Sequence, residues 1–88
     1  MNIELHPTFK KHYKKRISQN QKLTSKTIER VGLFKQDPKN PLIKDHALTG
    51  THFGHRAFWI TGNIRVIYEK LDENTVLFLD IGTHPQVY

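Results

Sequence analysis

Apolar residues in the first part of the chain recur at the spacing of an α-helix. Phe9, Tyr13 and Ile17 lie four positions apart, which predicts a helix with one apolar stripe. Pro7 at the first helical position, or Thr8 as a cap, suits its start. The flanks and back of this helix are strongly basic and carry Lys10, Lys11, Lys14 and Lys15.

A second apolar stripe of the same period follows a polar break. The stretch TIERVGLF predicts another helix, whose start we expect to be capped by Thr24 or Ser25. Pro38 cannot continue a helix, so we expect this one to end near Asp37. The segment PKNPLIKDHALTG that comes next is predicted to be a loop.

The rest of the chain has the pattern of β-strands. A short strand at residues 3–5 and three later ones, HRAFWI, IRVIYEK and TVLFLDI, predict the α+β class. We expect two basic N-terminal helices packed on a mostly antiparallel four-stranded sheet. TVLFLDI is apolar on both faces, which favours a fully buried central strand that ends at Gly82 and presents His84 just beyond it. Along IRVIYEK, Arg65 lies on the face opposite Ile64 and Val66, so the helices need not cover it.

Length and composition limit the kinds of protein that this chain could be. With 88 residues it is expected to form a single domain over residues 1–88. There is no cysteine, which excludes disulfides and thiolate metal sites. No apolar stretch has the length of a signal peptide core or a membrane span, so we expect a cytoplasmic protein with no membrane partner.

The formal net charge of +6 is concentrated in one half of the chain. Residues 1–44 contain eleven basic and three acidic side chains, whereas the remainder has three basic and five acidic ones. The positive half could bind a polyanion or an acidic protein, although solvated helix faces would give the same pattern.

Six histidines are many for so short a chain. We interpret His6 as a strand-end residue and His12 as a helix-face residue. No pair of histidines has the close helical spacing of a metal site, so no metal or other cofactor is expected. His46 and His84 differ, because they fall at loop and strand ends, where functional sites are commonly built.

Three segments together resemble a known family. KDHALTG, NIRVIYEK and DIGTHPQVY are similar to segments of the RelE superfamily of bacterial toxins, and closest to its YafQ-like branch. The order of helices and strands over nearly the whole chain is also the family's order. This resemblance implies a type II toxin that cleaves messenger RNA, typically on the ribosome, and that a cognate antitoxin protein neutralises.

The resemblance also implies which side chains form the catalytic site. His46 matches the loop histidine of YafQ-like toxins, and His84 matches their C-terminal histidine. Tyr88 occupies the terminal aromatic position, and Arg65 matches an arginine that stabilises the reacting phosphate in the RelE and YoeB branches.

Two positions depart from the YafQ-like pattern. Trp59 and Asn63 stand where a strand histidine and a turn aspartate are usual, and neither can transfer a proton in the same way. We expect Arg65 and Arg56 to compensate with positive charge for the missing acid–base groups.

These residue types suit RNA cleavage without a metal. Histidine titrates near neutral pH, so His46 and His84 can serve as base and acid, with His46 as base our working assignment. Asp45, beside His46, could raise the pKa of its imidazole. Arg65 would hold the phosphate, and Tyr88 would stack on a base. RNA-binding positions are expected at Lys10, Lys11, Lys14, Lys15, Lys44, His55, Arg56 and Trp59, although a lone tryptophan in an apolar strand is usually a core residue.

Two other functions remain open at this level. A ParE-like toxin of similar fold would bind DNA gyrase and cleave nothing, but ParE relatives lack the paired histidines. A catalytically silent module that binds RNA or protein would keep the fold and the basic face.

Overall fold

Alternating apolar residues build a single mixed sheet of five strands in the order β1-β5-β4-β3-β2. A computed structural model describes all residues from Met1 to Tyr88. Its elements are β1 (Asn2–Leu5), α1 (Pro7–Arg16), α2 (Gln21–Gln36), β2 (His46–Ala47), a 3-10 turn (Gly50–His52), β3 (Arg56–Trp59), β4 (Ile64–Lys70), β5 (Thr75–Thr83) and α3 (His84–Val87). The predicted α+β class is confirmed.

Side-chain caps set the start of each long helix. Pro7 occupies the first turn of α1 as predicted, but the cap is His6, whose Nδ1 accepts from the Thr8 N–H at 3.0 Å. Asn20 caps α2 by accepting from the Leu23 N–H at 3.1 Å. α2 therefore begins about one turn before the predicted caps Thr24 and Ser25, because the Asn20 side chain accepts a hydrogen bond from a backbone N–H of its first turn.

The predicted strand count of four is wrong, because the loop before β3 contains a short strand. β2 pairs antiparallel with β3, with His46 opposite Ala57. At the other edge β1 runs parallel to β5, so the sheet is mixed. Gly82 does not end β5, which continues to Thr83 and leads directly into α3.

One face of the sheet carries the main core, under α1 and α2. Phe34 of α2 stacks on Phe58 of β3 with ring centroids 4.4 Å apart, and also contacts Tyr68 and Phe78. The buried members of this cluster are Phe9, Ile17, Phe34, Ile43, Phe58, Ile60, Ile64, Val66, Tyr68, Val76, Phe78 and Ile81. This aromatic packing fixes the helices over the central strands.

The opposite face is only partly covered. Val87 of α3 packs on Ala57 and Ile67 in a small second cluster. Leu77 and Leu79 of β5 are half-buried, so the prediction of a strand fully buried on both faces is wrong. Because α3 is short, much of this face remains available for a functional site.

Replacing Phe34 by alanine should lower the free energy of unfolding by about 3–5 kcal/mol, since the ring fills the centre of the core and is 1% exposed. Urea denaturation measures the change. Phe53→Ala is the matched control, because that ring is 83% exposed, and its effect should stay within about 0.5 kcal/mol. Equal effects of the two substitutions would contradict this description of the core.

Candidate active site

Two cations lie against the single tryptophan on the open face of the sheet. Trp59 of β3 is paired directly with Arg65 of β4, whose guanidinium carbon lies 4.4 Å from the ring centroid. The Lys44 ammonium is 4.2 Å from the same centroid. Trp59 is half-buried and belongs to neither core cluster. The alternative that it is a core residue is therefore wrong. Cation–π attraction holds both positive groups beside an exposed aromatic surface.

The helix α3 is mounted firmly at the end of β5. The Thr83 N–H donates to Gln86 Oε1 at 2.8 Å, and the Tyr88 N–H donates to the His84 carbonyl at 3.1 Å. A Cβ on Gly82 would approach Gln86 Oε1 and a terminal nitrogen of Arg16 to 2.7 Å. A side chain at this position would therefore push the ends of Gln86 and Arg16 away from their present hydrogen bonds.

His84 and Tyr88 line a shallow cleft of about 240 Å³ together with Leu48, Thr49 and His52. The Tyr88 ring makes edge contacts with His84 and His52, with ring centroids 4.3 and 5.7 Å apart. Sequence reasoning did not place His52 at the site. Only the fold of its turn brings it there, through Gly50 and Gly54 with φ of 67° and 94°.

The positive charge of Arg65, which lies against Trp59, also acts on Tyr88 in this cleft. Burial raises the pKa of the Tyr88 phenol, and the positive Arg65 opposes that shift. A hydrogen bond of 3.3 Å to the Gly62 carbonyl also orients Arg65.

His46 lies on the same face as these residues. Its strand partner is Ala57, which packs against Val87 of α3. The imidazole Nδ1 lies 2.8 Å from the Lys44 carbonyl. Because a carbonyl can only accept, Nδ1 carries the proton, and the exposed Nε2 is left to exchange protons with a substrate.

Asp45 points to the opposite face and does not contact the His46 ring. Its carboxylate accepts from the Tyr68 hydroxyl at 2.7 Å and from Arg56 Nη2 at 3.2 Å. Arg56 Nε also donates to the Tyr68 oxygen at 3.2 Å. Asp45 therefore points away from His46, and the compensating charge expected from Arg56 is paired with Asp45 on the helix-covered side.

The remaining predicted RNA-binding side chains lie apart from the cleft. His55 Nε2 is 3.4 Å from a Glu69 carboxylate oxygen. The exposed lysines of α1 belong to the helix layer on the other side of the sheet, and they are Lys10, Lys11, Lys14 and Lys15. Their contacts with RNA stay a prediction.

His12 also lies away from the cleft, with its Nδ1 2.6 Å from Asp80 Oδ1. No group of three or more histidine or acidic side chains has a geometry that could hold a metal ion. No helix combines the length and apolar character needed to cross a bilayer.

The profile of one protein family matches residues 1–88, and its description is "Bacterial toxin of type II toxin-antitoxin system, YafQ". The chain belongs to the YafQ toxin family. The resemblance noted in the sequence is thereby confirmed for the whole chain. No curated protein is significantly similar in sequence to this YafQ-family toxin.

Solved structures have the same fold as this YafQ-family toxin. YafQ from E. coli strain BL21(DE3) is 22% identical, with a TM-score of 0.82 over 99% of this chain and 97% of that one. YafQ in the E. coli DinJ-YafQ toxin-antitoxin complex is 26% identical, with a TM-score of 0.77 and coverages of 99% and 96%. A metal-bound toxin from Helicobacter pylori is 26% identical, with a TM-score of 0.79 and coverages of 100% and 99%.

Gly82→Ala should loosen α3, because the new Cβ would displace Gln86 and Arg16 from their hydrogen bonds. We expect a loss of about 1 kcal/mol, the usual value of a helix cap, and faster amide exchange at Tyr88. Gly32→Ala is the matched control, since nothing lies within 4 Å of its added methyl group. Removing a glycine from the interior of α2 should raise stability by up to about 1 kcal/mol. The same sign for both substitutions would contradict the proposed mounting of α3.

Stability should decline at high pH because of Tyr68. Burial, and then the hydrogen bond to Asp45, raise the pKa of this phenol above its ordinary value. The folded state therefore keeps a proton that the unfolded chain releases above about pH 10, so the free energy of unfolding should fall from there upward. Urea titrations between pH 8 and 11, roughly spanning the ordinary tyrosine pKa, would measure this. Tyr68→Phe should flatten the decline, and an unchanged slope would contradict it.

Proposed function

We propose that this YafQ-family toxin is a metal-independent endoribonuclease that cleaves messenger RNA on the ribosome, in the cytoplasm. The observation that carries the proposal is that two histidines, an arginine and two aromatic rings lie on one face of the sheet. Arg65 and Trp59 lie side by side on β4 and β3. His84 and Tyr88 are in contact on α3, and strand pairing puts His46 on the same face.

In the proposed reaction a 2′-hydroxyl of the RNA attacks the adjacent phosphorus. His46 Nε2 accepts the hydroxyl proton, because its Nδ1 is already committed to the Lys44 carbonyl. The bond from phosphorus to the 5′-oxygen then breaks, and His84 gives its proton to the departing oxygen. The products are a 2′,3′-cyclic phosphate and a free 5′-hydroxyl, and water exchanges the protons to restore both histidines.

Arg65 would stabilise the extra negative charge on the phosphate as it passes through five coordination. The guanidinium stays charged at cellular pH and offers a planar fork to phosphate oxygens. It is held beforehand by the Gly62 carbonyl and the Trp59 ring, so little reorganisation is needed. Preorganised donors of this kind are typically worth about 10²–10³ in rate.

Aromatic rings and outlying basic groups would bind the rest of the RNA. Tyr88 and Trp59 present partly exposed rings on which splayed bases can stack. Lys44, whose ammonium lies over the Trp59 ring, would contact a neighbouring phosphate. The lysines of α1, together with His55, would contact RNA backbone away from the cleft.

We also propose that an antitoxin protein neutralises this toxin. YafQ from E. coli has been solved in complex with DinJ. The excess positive charge of the helical half favours an antitoxin segment that is acidic and that covers the helices or the cleft.

His46→Ala and His84→Gln should each reduce RNA cleavage by about 10²–10⁴, because each removes one proton transfer. Primer extension on a translated message, with and without the toxin, measures cleavage. His12→Gln is the matched control, since His12 is bonded to Asp80 away from the cleft, and it should cleave normally. Expression without an antitoxin should arrest growth for the wild type and this control only.

Three results would contradict the proposal. Full toxicity of the His46→Ala, His84→Gln double variant would reject the histidine mechanism. Loss of cleavage in EDTA, with recovery on adding a metal, would reject metal independence. Replication arrest with intact transcripts would instead indicate a ParE-like action on DNA gyrase.

A further inference from the structure

His46 is exposed and lies on a strand of only two residues at the edge of the sheet. A general base must stay within hydrogen-bond reach of its proton, and catalytic side chains need their position held to about 0.5 Å. The few backbone hydrogen bonds of so short a strand would not ensure this. The neighbouring residues show how the position of His46 is held.

The backbone just before His46 is fixed in an uncommon conformation. Lys44 has a φ of 49°, the only positive value outside glycine, and this left-handed conformation is strained for a residue with a side chain. It persists because both sides are anchored. The Ile43 side chain is fully buried, and its carbonyl accepts from the Trp59 N–H at 2.7 Å. The Lys44 carbonyl, in turn, accepts a hydrogen bond from His46 Nδ1.

Asp45 provides the anchor on the other side of the bend. Its side chain is 12% exposed and points under the sheet toward the helices. Tyr68, 3% exposed, donates its hydroxyl proton to Asp45 from within the main core. Arg56 adds an ion pair to the same carboxylate. Asp45 immediately precedes β2, so anchoring its side chain below the sheet fixes the backbone that enters the strand at His46, whose pairing with Ala57 directs its ring to the other face.

We propose that Asp45, Arg56 and Tyr68 form a positioning network that holds His46 at the active face with Nε2 directed at the substrate. None of the three touches RNA in this proposal; they act through the backbone of β2. The inference rests on the proposed nuclease function. It would also explain how three polar groups on the face opposite the cleft affect catalysis.

Tyr68→Phe is the main test, because it removes one hydroxyl and keeps the ring that packs on Phe34. Freed from its partner, Asp45 should let β2 move, and a displacement near 1 Å can cost about 10²-fold in rate. We expect single-turnover cleavage to slow at least about tenfold with little change in KM. Tyr13→Phe is the matched control, since the Tyr13 hydroxyl has no side-chain partner in the structure and should leave the rate unchanged.

A second measurement does not depend on cleavage. The ¹⁵N shifts of the His46 imidazole report which nitrogen carries the proton. In the wild type we expect the Nδ1-protonated tautomer, and in Tyr68→Phe an average of both tautomers as the bond to Lys44 weakens. Asp45→Asn should act in the same direction, with Asp72→Asn, in an exposed turn, as its control.

The outcomes separate this inference from the function on which it rests. A wild type with the Nδ1-protonated tautomer but no RNA cleavage would overturn the nuclease proposal and leave the positioning of His46 supported. Tyr68→Phe that lowers stability yet keeps the wild-type tautomer and rate would overturn the network, since its role would then be structural. If Asp45→Asn does not fold, Tyr68→Phe decides alone.

Discussion

The packing of Phe34 on Phe58, Tyr68 and Phe78 is the interaction on which the rest of the structure depends. It turns one face of the sheet toward the helices. Strand residues alternate, so the neighbours of Phe58 must face the other way. Arg65 takes that direction for the same reason, because Val66 beside it lies in the core. A hydrophobic contact on one side of the sheet therefore determines which chemical groups are displayed on the other.

Local patterns were enough to predict most of this arrangement. The four-residue spacing of Phe9, Tyr13 and Ile17 identified α1, and alternation along β4 placed Arg65 on the face away from the helices. The motif Gly-Thr-His at residues 82–84 identified His84 as a candidate site residue. In each case the signal lies within about ten residues of sequence, where the periods of helix and strand are directly readable.

The parts that sequence did not show depend on contacts between distant segments. β2 is two residues long and exists because β3 lies beside it. α3 depends on Val87 packing against Ala57 and Ile67. His52 reaches Tyr88 only through a turn whose closure the local pattern did not specify. Asp45 and His46 are adjacent in sequence, yet their side chains point to opposite faces of the sheet. Short elements carry too few residues for a period to be recognised, so tertiary contacts decide them.

The parallel pairing of β1 with β5 joins the two ends of the chain within one sheet. Contacts between such distant segments form slowly, since a long loop must close before they contribute any stability. The helices can form from local contacts, whereas β5 must enter between β1 and β4 before α3 has anything to pack on. His84 and Tyr88 would therefore reach their places among the last groups to become ordered. A newly made or partly folded molecule would hold the proposed catalytic residues His46 and His84 apart, so the proposed site would form only once folding is complete.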